Sequence, residues 1–249
     1  MKTFVKYILQ KLLGLKTYLY LFALFVIVKL RWDKKEKDFF YFLGLIPDGG
    51  IALDIGANIG VTSYHLAKKL PESKVLSFEP LSLNMDTLKR IKKRFQLKNI
   101  TEYQFAVGDQ NGTLEMVMPV VNKVPMHGLS HVMHKDIVEN NTGLRFKVPI
   151  IMLDNFKELV EDNRKITALK IDVENYEFFV LKGGEKLIKK HRPIIYCELW
   201  DNENKKKSIS FLNNLAYSTF ILYKKELIPY DKIKNHKHNF FFLPNSLTD

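Results

Sequence analysis

Thiol groups are almost absent from this sequence. Its 249 residues include a single cysteine, Cys197, so the chain can form no internal disulfide and no metal site built from several thiolates. The protein therefore has no need of an oxidising compartment. Hydrophobic residues make up 46% of the chain, which is ordinary for a globular protein, and the length fits one domain with a short appendage.

The common phosphate-binding motifs are also missing. The sequence contains neither a G-x-x-x-x-G-K-[ST] loop nor a G-x-G-x-x-G fingerprint, which argues against a P-loop enzyme and against the usual dinucleotide site. The net charge is +12, but no arginine-rich stripe with interleaved aromatic residues occurs. Because a basic excess alone is a weak indication of nucleic-acid binding, we expect no nucleic-acid partner and interpret the lysines as a solvated surface.

Half of the positive excess lies at the N-terminus. Residues 1–38 contain nine Lys and Arg and three Asp and Glu, a net charge of +6. Residues 18–28 form an uninterrupted run of eleven apolar and aromatic residues, which is shorter than the roughly 20 that a spanning helix needs. No small-residue cleavage pattern follows the run, so a cleaved signal peptide is not expected.

Three interpretations of this N-terminal segment stay open. It is an interfacial helix that its lysines draw to anionic lipid, a short transmembrane helix, or a helix packed against the protein's own apolar surface. We expect a basic, hydrophobic arm over residues 1–38 that attaches to a membrane surface through residues 1–30. Residues 39–249 would then form a globular domain in the cytoplasm.

From residue 50 onward, short apolar segments alternate with amphipathic ones. Strands are predicted over residues 51–54, 74–78, 101–107, 166–173, 194–200, 219–224 and 239–243. Helices are predicted over residues 61–70, 84–95, 153–160, 176–190 and 205–215. This alternation predicts an α/β, Rossmann-like fold with a mostly parallel seven-stranded sheet flanked by helices. Ligands of such sheets bind beyond the carboxyl ends of the strands, where this sequence places acidic residues.

The corner after the first predicted strand carries the sharpest motif. Gly56 and Gly60 have G-x-x-x-G spacing on either side of Asn58, which suits a tight turn followed by close approach of a helix and a ligand. Asp54 precedes them, and its carboxylate would repel a pyrophosphate but attract the ammonium group of a methionine moiety. A plain strand–turn–helix corner is the simpler interpretation of this segment.

Two further corners extend the pattern. Glu79 closes the second strand and can accept hydrogen bonds from ribose hydroxyls. Gly108 and Asp109 follow the third strand and can receive an adenine, and a simple acidic turn is the alternative interpretation. Taken together, the three corners predict a binding site for S-adenosylmethionine.

The fourth and fifth strands narrow the family. The segments LKIDVENYE (from Leu169), VLKGGE (from Val180) and RPIIYCEL (from Arg192) closely resemble the FkbM family of methyltransferases. The resemblance covers about residues 51–242 and leaves out the arm. Asn175 stands where the family usually has glycine, and asparagine tolerates the left-handed conformation. The resemblance implies O-methylation of a hydroxyl on a sugar, a glycan or a related small acceptor, with S-adenosylmethionine as the cofactor.

Methyl transfer to an alcohol requires an aligned acceptor and a group that takes the proton. Asp172, at the end of the fourth strand, is the first candidate for the base or for an orienting carboxylate, or else it holds the methionine end of the cofactor. Glu174 and Glu198 would support it through hydrogen bonds to acceptor hydroxyls. Several carboxylates in one cleft would also raise one another's pKa.

Strands predicted over residues 112–118 and 144–151 bracket a loop of about 25 residues, a length that is typical of lids or disordered segments. This loop holds His127, His131 and His134, of which the first two are alternative bases. Because no carboxylate partner is evident, we expect no metal site. The rival functions are an NAD or nucleotide-sugar enzyme, a membrane-tethered scaffold that keeps the pocket without catalysis, and an RNA methyltransferase.

Overall fold

The computed structural model describes residues 2–33, 36–121, 124–133, 142–230 and 237–247. The strands are β1 (Ile51–Ile55), β2 (Lys74–Phe78), β3 (Ile100–Tyr103), β4 (Ala106–Val107), β5 (Gly112–Val121), β6 (Val124–Pro125), β7 (His131–Val132), β8 (Gly143–Ile151), β9 (Ile166–Ile171), β10 (Ile194–Glu198), β11 (Tyr217–Tyr223), β12 (Glu226–Pro229) and β13 (Asn239–Pro244). The helices are α1 (Lys2–Leu13), α2 (Leu15–Leu30), α3 (Lys37–Leu45), α4 (Val61–Lys69), α5 (Ser82–Phe95), α6 (Lys157–Glu161), α7 (Glu177–Gly183), α8 (Glu185–His191) and α9 (Glu203–Asn214).

The central sheet is mixed and has eight strands in the order β12-β11-β13-β10-β9-β1-β2-β3. Strands β3, β2, β1, β9 and β10 are parallel neighbours, whereas β13 pairs antiparallel with both β10 and β11. The expected α/β fold with a helix-flanked sheet is confirmed, but the expected count of seven strands is wrong. The additional strand, β12, forms a hairpin with β11 through Lys224 and Lys225, both at positive φ. Lysines there give none of the glycine or asparagine signal that usually predicts such a turn.

Both faces of the parallel strands are buried, because helices cover each side. Alternate residues of β1 point to opposite faces: Ile51, Leu53 and Ile55 pack with the core formed by α6–α9, whereas Ala52 packs with the core formed by α3, α4 and α5. Because these strands run parallel, their carboxyl ends lie at one edge of the sheet. The corners that follow them are thus close to one another.

A second, smaller sheet lies over that edge. It has the order β4-β8-β5-β6, and β7 pairs with β5. The predicted pair over residues 112–118 and 144–151 is confirmed as the antiparallel strands β5 and β8. The predicted single strand over residues 101–107 is instead divided, because the chain leaves β3 of the central sheet and joins β8 as β4.

The predicted helix over residues 176–190 is also divided. It forms α7 and α8, with the break at Gly184, whose backbone lies against Leu153. A side chain at Gly184 would lie 3.0 Å from that leucine, so glycine allows the two elements to approach. The predicted helix over residues 153–160 is a short 3-10 turn followed by α6.

The N-terminal residues pack onto the domain. Helix α2 buries Leu19, Ala23 and Ile27 against α4 and α5, and α3 buries Phe42, which stacks on Tyr196 of β10 at a ring distance of 5.1 Å. The boundary that we predicted between residues 38 and 39 falls inside α3. Within the described residues, no single helix is long and apolar enough to cross a membrane; α1 and α2 meet that test only as a pair, bent by 120°.

Candidate functional site

A cleft of about 650 Å³ opens at the carboxyl ends of β1, β2 and β9, and we call it the first cleft. The predicted corners at Gly56–Asn58 and Glu79 line one side of it, and Asp172–Glu174 line another. Residues of the smaller sheet and its loop, among them Met116 and Ser130, close it from above.

Glu79 sits in the first cleft with both carboxylate oxygens fixed. Oε1 accepts hydrogen bonds from the Leu81 backbone N–H at 2.9 Å and from the Asn84 amide at 3.1 Å, and Oε2 accepts one from the Asn58 backbone N–H at 3.0 Å. Burial raises the pKa of Glu79 to about 7, although these hydrogen bonds act in the opposite direction. The carboxylate is thus held in one orientation and keeps lone pairs for a donor in the cleft.

Two buried amide oxygens also belong to the first cleft. Asn58 Oδ1 and Asn84 Oδ1 have no hydrogen-bond partner among the described residues, and both side chains line the cleft. A buried acceptor without a donor is costly, so these oxygens indicate a ligand that donates N–H or O–H groups. With Glu79 they form three acceptors, which suits the ribose hydroxyls and amino groups of a nucleoside and is unsuited to a phosphate. The residues present therefore fit S-adenosylmethionine.

The apolar part of the first cleft differs from the prediction. Phe105, Ala106 and Val107 line it, but Gly108 and Asp109 do not. Asp109 forms a salt bridge with Lys182 at 2.8 Å, and Gly108 is buried where a side chain would collide with Tyr176 and Ile150. Where the chain leaves β3 and joins β8 as β4, the three residues before Gly108 therefore line the first cleft in place of the predicted pair.

The glycines of the G-x-x-x-G motif are explained by close contacts. Gly56 has a φ of 77°, and a Cβ there would lie 1.8 Å from the Asp172 carbonyl oxygen. Gly60 has a φ of 84° and is packed against Leu88. Glycine at position 56 thus lets the β1 corner and the end of β9 touch, which brings Asp172 to the edge of the first cleft.

Asp54 does not face the first cleft as expected. It is fully buried, and its Oδ2 accepts hydrogen bonds from Thr62 at 2.8 Å and Ser63 at 2.6 Å. Its Oδ1 lies 3.3 Å from Nζ of Lys170. Asp54 therefore lies beneath the predicted corner, where Lys170 balances its charge. It does not line the first cleft.

Lys170 is the central cation of the site, and the sequence analysis missed it. It is 3% exposed, donates to the Gly56 carbonyl at 2.9 Å and lies 3.5 Å from Asp172 Oδ2. Burial alone would lower its pKa, but the charges of Asp172 and Asp54 outweigh burial and raise the pKa above its usual value. A lysine inside an otherwise apolar strand was the available signal, since a buried cation needs a partner.

A second cleft, of about 1060 Å³, opens on the other side of Asp172. Its carboxylates are those of Asp172, Glu198, Glu36 and Asp38, and Lys170 lies at its base. Asp172 is 38% exposed and lines both clefts. Asp172 and Glu198 were predicted from the sequence, whereas Glu36 and Asp38 were not, because they lie in the segment predicted to form the arm.

Like charges perturb the acids of the second cleft. Burial, followed by the charge of Asp172, raises the pKa of Glu198 to about 7. Burial and the charges of Asp33 and Asp172 raise the pKa of Glu36 as well. A carboxylate with a pKa near neutrality can take up a proton at physiological pH. The second cleft therefore combines several hydrogen-bond-accepting oxygens with a group able to act as a base.

The turn between β9 and α7 follows Asp172, the residue that separates the two clefts. Glu174 and Asn175 have positive φ values of 52° and 72°, so Asn175 does adopt the left-handed conformation that the sequence analysis expected. Glu174 lines the first cleft only, and its predicted contact with an acceptor stays a prediction. The buried carboxyl of Glu177, which the sequence analysis missed, accepts from the backbone N–H groups of Val173 and Asn175, both at 3.1 Å.

The predicted histidine candidates are placed only in part. The backbone of His127 forms a short 3-10 turn, while its side chain lies outside the described residues, as does His134. His131 is buried and contacts the Leu129 carbonyl through Nδ1 at 3.0 Å. It lines neither cleft, although its neighbours Ser130 and Val132 line the first. In the described part of the chain, no group of three His, Cys, Asp or Glu is placed to hold a metal ion.

Comparison with known proteins identifies the family of this chain. The family described as the methyltransferase FkbM domain matches residues 54–221. "Methyltransferase 1" of Beauveria bassiana is 25% identical over 172 residues, covering 62% of this chain and 68% of that protein. "Methyltransferase sdnD" of Sordaria araneosa is 26% identical over 170 residues, covering 60% and 66%. The crystal structure of a methyltransferase FkbM from Methylobacillus flagellatus KT aligns with a TM-score of 0.52 and 17% identity, covering 80% of this chain and 45% of that one. The chain thus spans about two thirds of the two relatives and less than half of the solved protein.

Proposed function

This chain belongs to the FkbM family of S-adenosylmethionine-dependent methyltransferases, and we propose that it methylates a hydroxyl group of a sugar, a glycan or a related small polyol. The observation that carries the proposal is the position of Asp172, which lines both clefts. One residue can then face the cofactor from one side and the acceptor from the other.

The first cleft is the proposed cofactor site. Glu79, Asn58 and Asn84 supply the acceptor oxygens for the nucleoside, and Phe105 and Val107 supply apolar surface for its base. S-adenosylmethionine supplies an electrophilic methyl group attached to a sulfonium ion. Glu79 and the two amides would fix the orientation of the bound molecule, and the residues of the smaller sheet would exclude water from it.

The second cleft is the proposed acceptor site. Carboxylates accept hydrogen bonds and offer no donor when ionised, so Glu36, Asp38 and Glu198 suit a ligand rich in hydroxyl groups. The four carboxylates of this cleft outnumber its two lysines, Lys170 and Lys237. The excess negative charge would repel a phosphate backbone, which argues against RNA as the acceptor. An NAD pyrophosphate is disfavoured in the first cleft for a related reason, since that cleft offers acceptors where a pyrophosphate requires donors.

We assign separate roles to the two central carboxylates. Asp172, held 3.5 Å from Lys170, would orient the acceptor hydroxyl by accepting a hydrogen bond from it. Glu198, whose pKa burial and Asp172 raise to about 7, would receive the proton that the hydroxyl oxygen loses as it gains the methyl group. Lys170 would keep Asp172 ionised and fixed, because it is buried between Asp172 and Asp54.

Methyl-labelled S-adenosylmethionine, incubated with the protein and separate fractions of sugars, glycans and RNA, tests this function. We expect label in a carbohydrate or polyol fraction. Asp172→Asn should lower kcat by about 10²–10⁴-fold, the usual contribution of a group that assists proton transfer and alignment.

The same variant separates catalysis from binding. Isothermal titration with S-adenosylhomocysteine should give Asp172→Asn a Kd within about threefold of wild type, since the loss of one exposed contact costs well under 1.4 kcal/mol. Label confined to RNA would contradict the proposed acceptor. Unchanged turnover in Asp172→Asn would contradict the proposed role of Asp172 between the two clefts. If the variant bound the cofactor and kept the protein's biological role without turnover, a non-catalytic scaffold would be favoured.

A further inference from the structure

Helix α2 has an apolar face that the domain does not cover. One side of the helix is buried, with Leu19 and Ala23 at 0% exposure. On the other side Phe25 and Val28 are 60% and 66% exposed, and Leu21 is 45% exposed. A soluble helix usually presents polar residues opposite its buried side, so this exposed apolar side requires a different explanation.

Helix α1 extends the same surface. It contacts α2 and presents Val5, Leu9 and Leu12 at 50%, 40% and 77% exposure. We define the arm face as the exposed apolar side chains of both helices: Val5, Leu9, Leu12, Leu21, Phe25 and Val28. Residues of α1 and α2 also line a shared apolar groove, so the face is continuous. Contiguous exposed apolar surface marks an interaction site.

The charged residues of the two helices are basic. Lys11, Lys16, Lys29 and Arg31 are exposed, and residues 1–38 carry a net charge of +6. Trp32, which is 84% exposed, follows α2 directly. An apolar face with flanking cations and a terminal tryptophan matches the membrane interface, where aromatic rings and lysines anchor to lipid headgroups.

Neither helix is long enough to span a bilayer by itself. Helix α2 has 16 residues, about 24 Å at 1.5 Å per residue, whereas the hydrocarbon core is about 30 Å thick. Its inner side is also buried against α4 and α5, so lipid cannot surround it. The bend of 120° between the two helices allows both to lie along one surface.

We propose that the arm face docks onto the surface of an anionic lipid bilayer, with α1 and α2 lying in the headgroup region. The apolar side chains enter the outer acyl layer while the lysines and Arg31 contact lipid phosphates. The alternative occupant is a second copy of this chain, which would cover the same face without requiring anionic lipid.

Vesicle co-sedimentation of the full chain tests the proposal. The probes are vesicles of phosphatidylcholine alone and of phosphatidylcholine mixed with phosphatidylglycerol, each at low and high salt. We expect binding to the anionic vesicles only, weakened by salt. The triple variant Leu12→Ser, Phe25→Ser, Val28→Ser should bind at least about tenfold more weakly, since it removes three membrane-entering side chains.

The matched control is Leu144→Ser with Val160→Ser, which removes two exposed apolar side chains elsewhere, at 49% and 47% exposure. It should bind vesicles as wild type does. Unchanged melting temperature and S-adenosylhomocysteine affinity would show that the triple variant is folded. This control does not require the methyl acceptor to be known. The proposal would be overturned if wild-type protein did not sediment with anionic vesicles, or if the triple variant bound them as tightly as wild type. A wild-type dimer by light scattering that the triple variant loses, without vesicle binding, would assign the face to a second copy.

Discussion

The two clefts that meet at Asp172 are built in different ways. The first takes its polar contacts mainly from one short stretch of chain, in which Glu79 accepts hydrogen bonds from both Asn58 and Asn84. The second gathers acids from the start of α3, the end of β9 and the end of β10. A binding site for an invariant cofactor can be encoded by a local motif, whereas an acceptor site depends on how distant segments pack.

Their electrostatics differ as well. In the first cleft, the Glu79 carboxylate accepts three hydrogen bonds from protein N–H groups. Burial raises the pKa of Glu198 to about 7, as it does that of Glu79, but in the second cleft the charges of Asp172 and Glu36 add to the effect of burial. Hydrogen bonds thus hold Glu79 in one orientation, whereas Glu198 lies among like charges, and our proposal gives the exchange of a proton to Glu198 alone.

Gly56→Ala should have the largest effect, because it acts where both clefts meet. The new Cβ would collide with the Asp172 carbonyl at a positive φ, and we expect a loss of roughly 2–6 kcal/mol of unfolding free energy from strain and overpacking. Urea unfolding measures it. Gly44→Ala in α3, which has open space and no positive φ, is the matched control and should be neutral or stabilising. Equal stability of the two variants would contradict the close approach.

Glu79→Gln should separate the clefts by affecting cofactor affinity alone. The NH2 group of glutamine would replace one carboxylate oxygen and face the N–H groups that now donate to it. A hydrogen bond from the ligand to a charged acceptor contributes about 1.5–3 kcal/mol of binding free energy, and the variant would lose it. We expect S-adenosylhomocysteine to bind about 10–100-fold more weakly by isothermal titration. Asp109→Asn, which changes an acid paired with Lys182 outside the cleft, should bind normally. A larger loss in Asp109→Asn than in Glu79→Gln would restore our original adenine corner.

Glu198→Gln should change the pH dependence of the second cleft. The pKa of Glu198 is raised from 4.5 to about 7 by burial and by Asp172, and only the ionised form takes a proton. The wild-type rate should therefore rise as pH increases through about 7, and the variant should lose that rise. A rate profile measured from pH 5.5 to about 9 checks this, and an unchanged rise would assign the base elsewhere.

The same shift affects stability in the opposite direction. A carboxyl with a raised folded-state pKa contributes stability that is complete below its ordinary pKa of 4.5 and is lost as pH rises through about 7. Glu198→Gln should thus gain stability relative to wild type at pH 8 but not at pH 4.5. Thermal unfolding at the two pH values provides the comparison.

Glu177→Gln should have the smallest effect. Burial raises the pKa of Glu177 to about 8, so its carboxyl is mostly neutral at pH 7, and a glutamine oxygen can still accept from Val173 and Asn175. We expect equal melting temperatures at pH 4.5 and a modest gain for the variant that grows as pH rises from 4.5 to about 8, because wild type loses stability over that range as Glu177 ionises in the unfolded chain. A large loss at pH 7 would show that this turn requires the charge.

Residues of the first cleft could be predicted from the sequence more fully than contacts between distant segments. Gly56, Asn58 and Glu79 could be placed from the sequence because strand, turn and helix signals lie next to one another. Asp109 was misplaced because the pairing of β4 with β8 depends on residues more than 40 positions away. The partner of Asp54 is Lys170, 116 residues later, and no local pattern indicates that contact. The acids at positions 36 and 38 join the second cleft only because α3 packs on β10.

The most direct measurement is a crystal structure of the protein with S-adenosylhomocysteine bound. The two-cleft arrangement predicts ribose hydroxyls within hydrogen-bond distance of Glu79, the base against Phe105 and Val107, and the sulfur end directed toward Asp172 and the second cleft. A nucleoside bound in the second cleft, or one whose sulfur points away from Asp172, would contradict it.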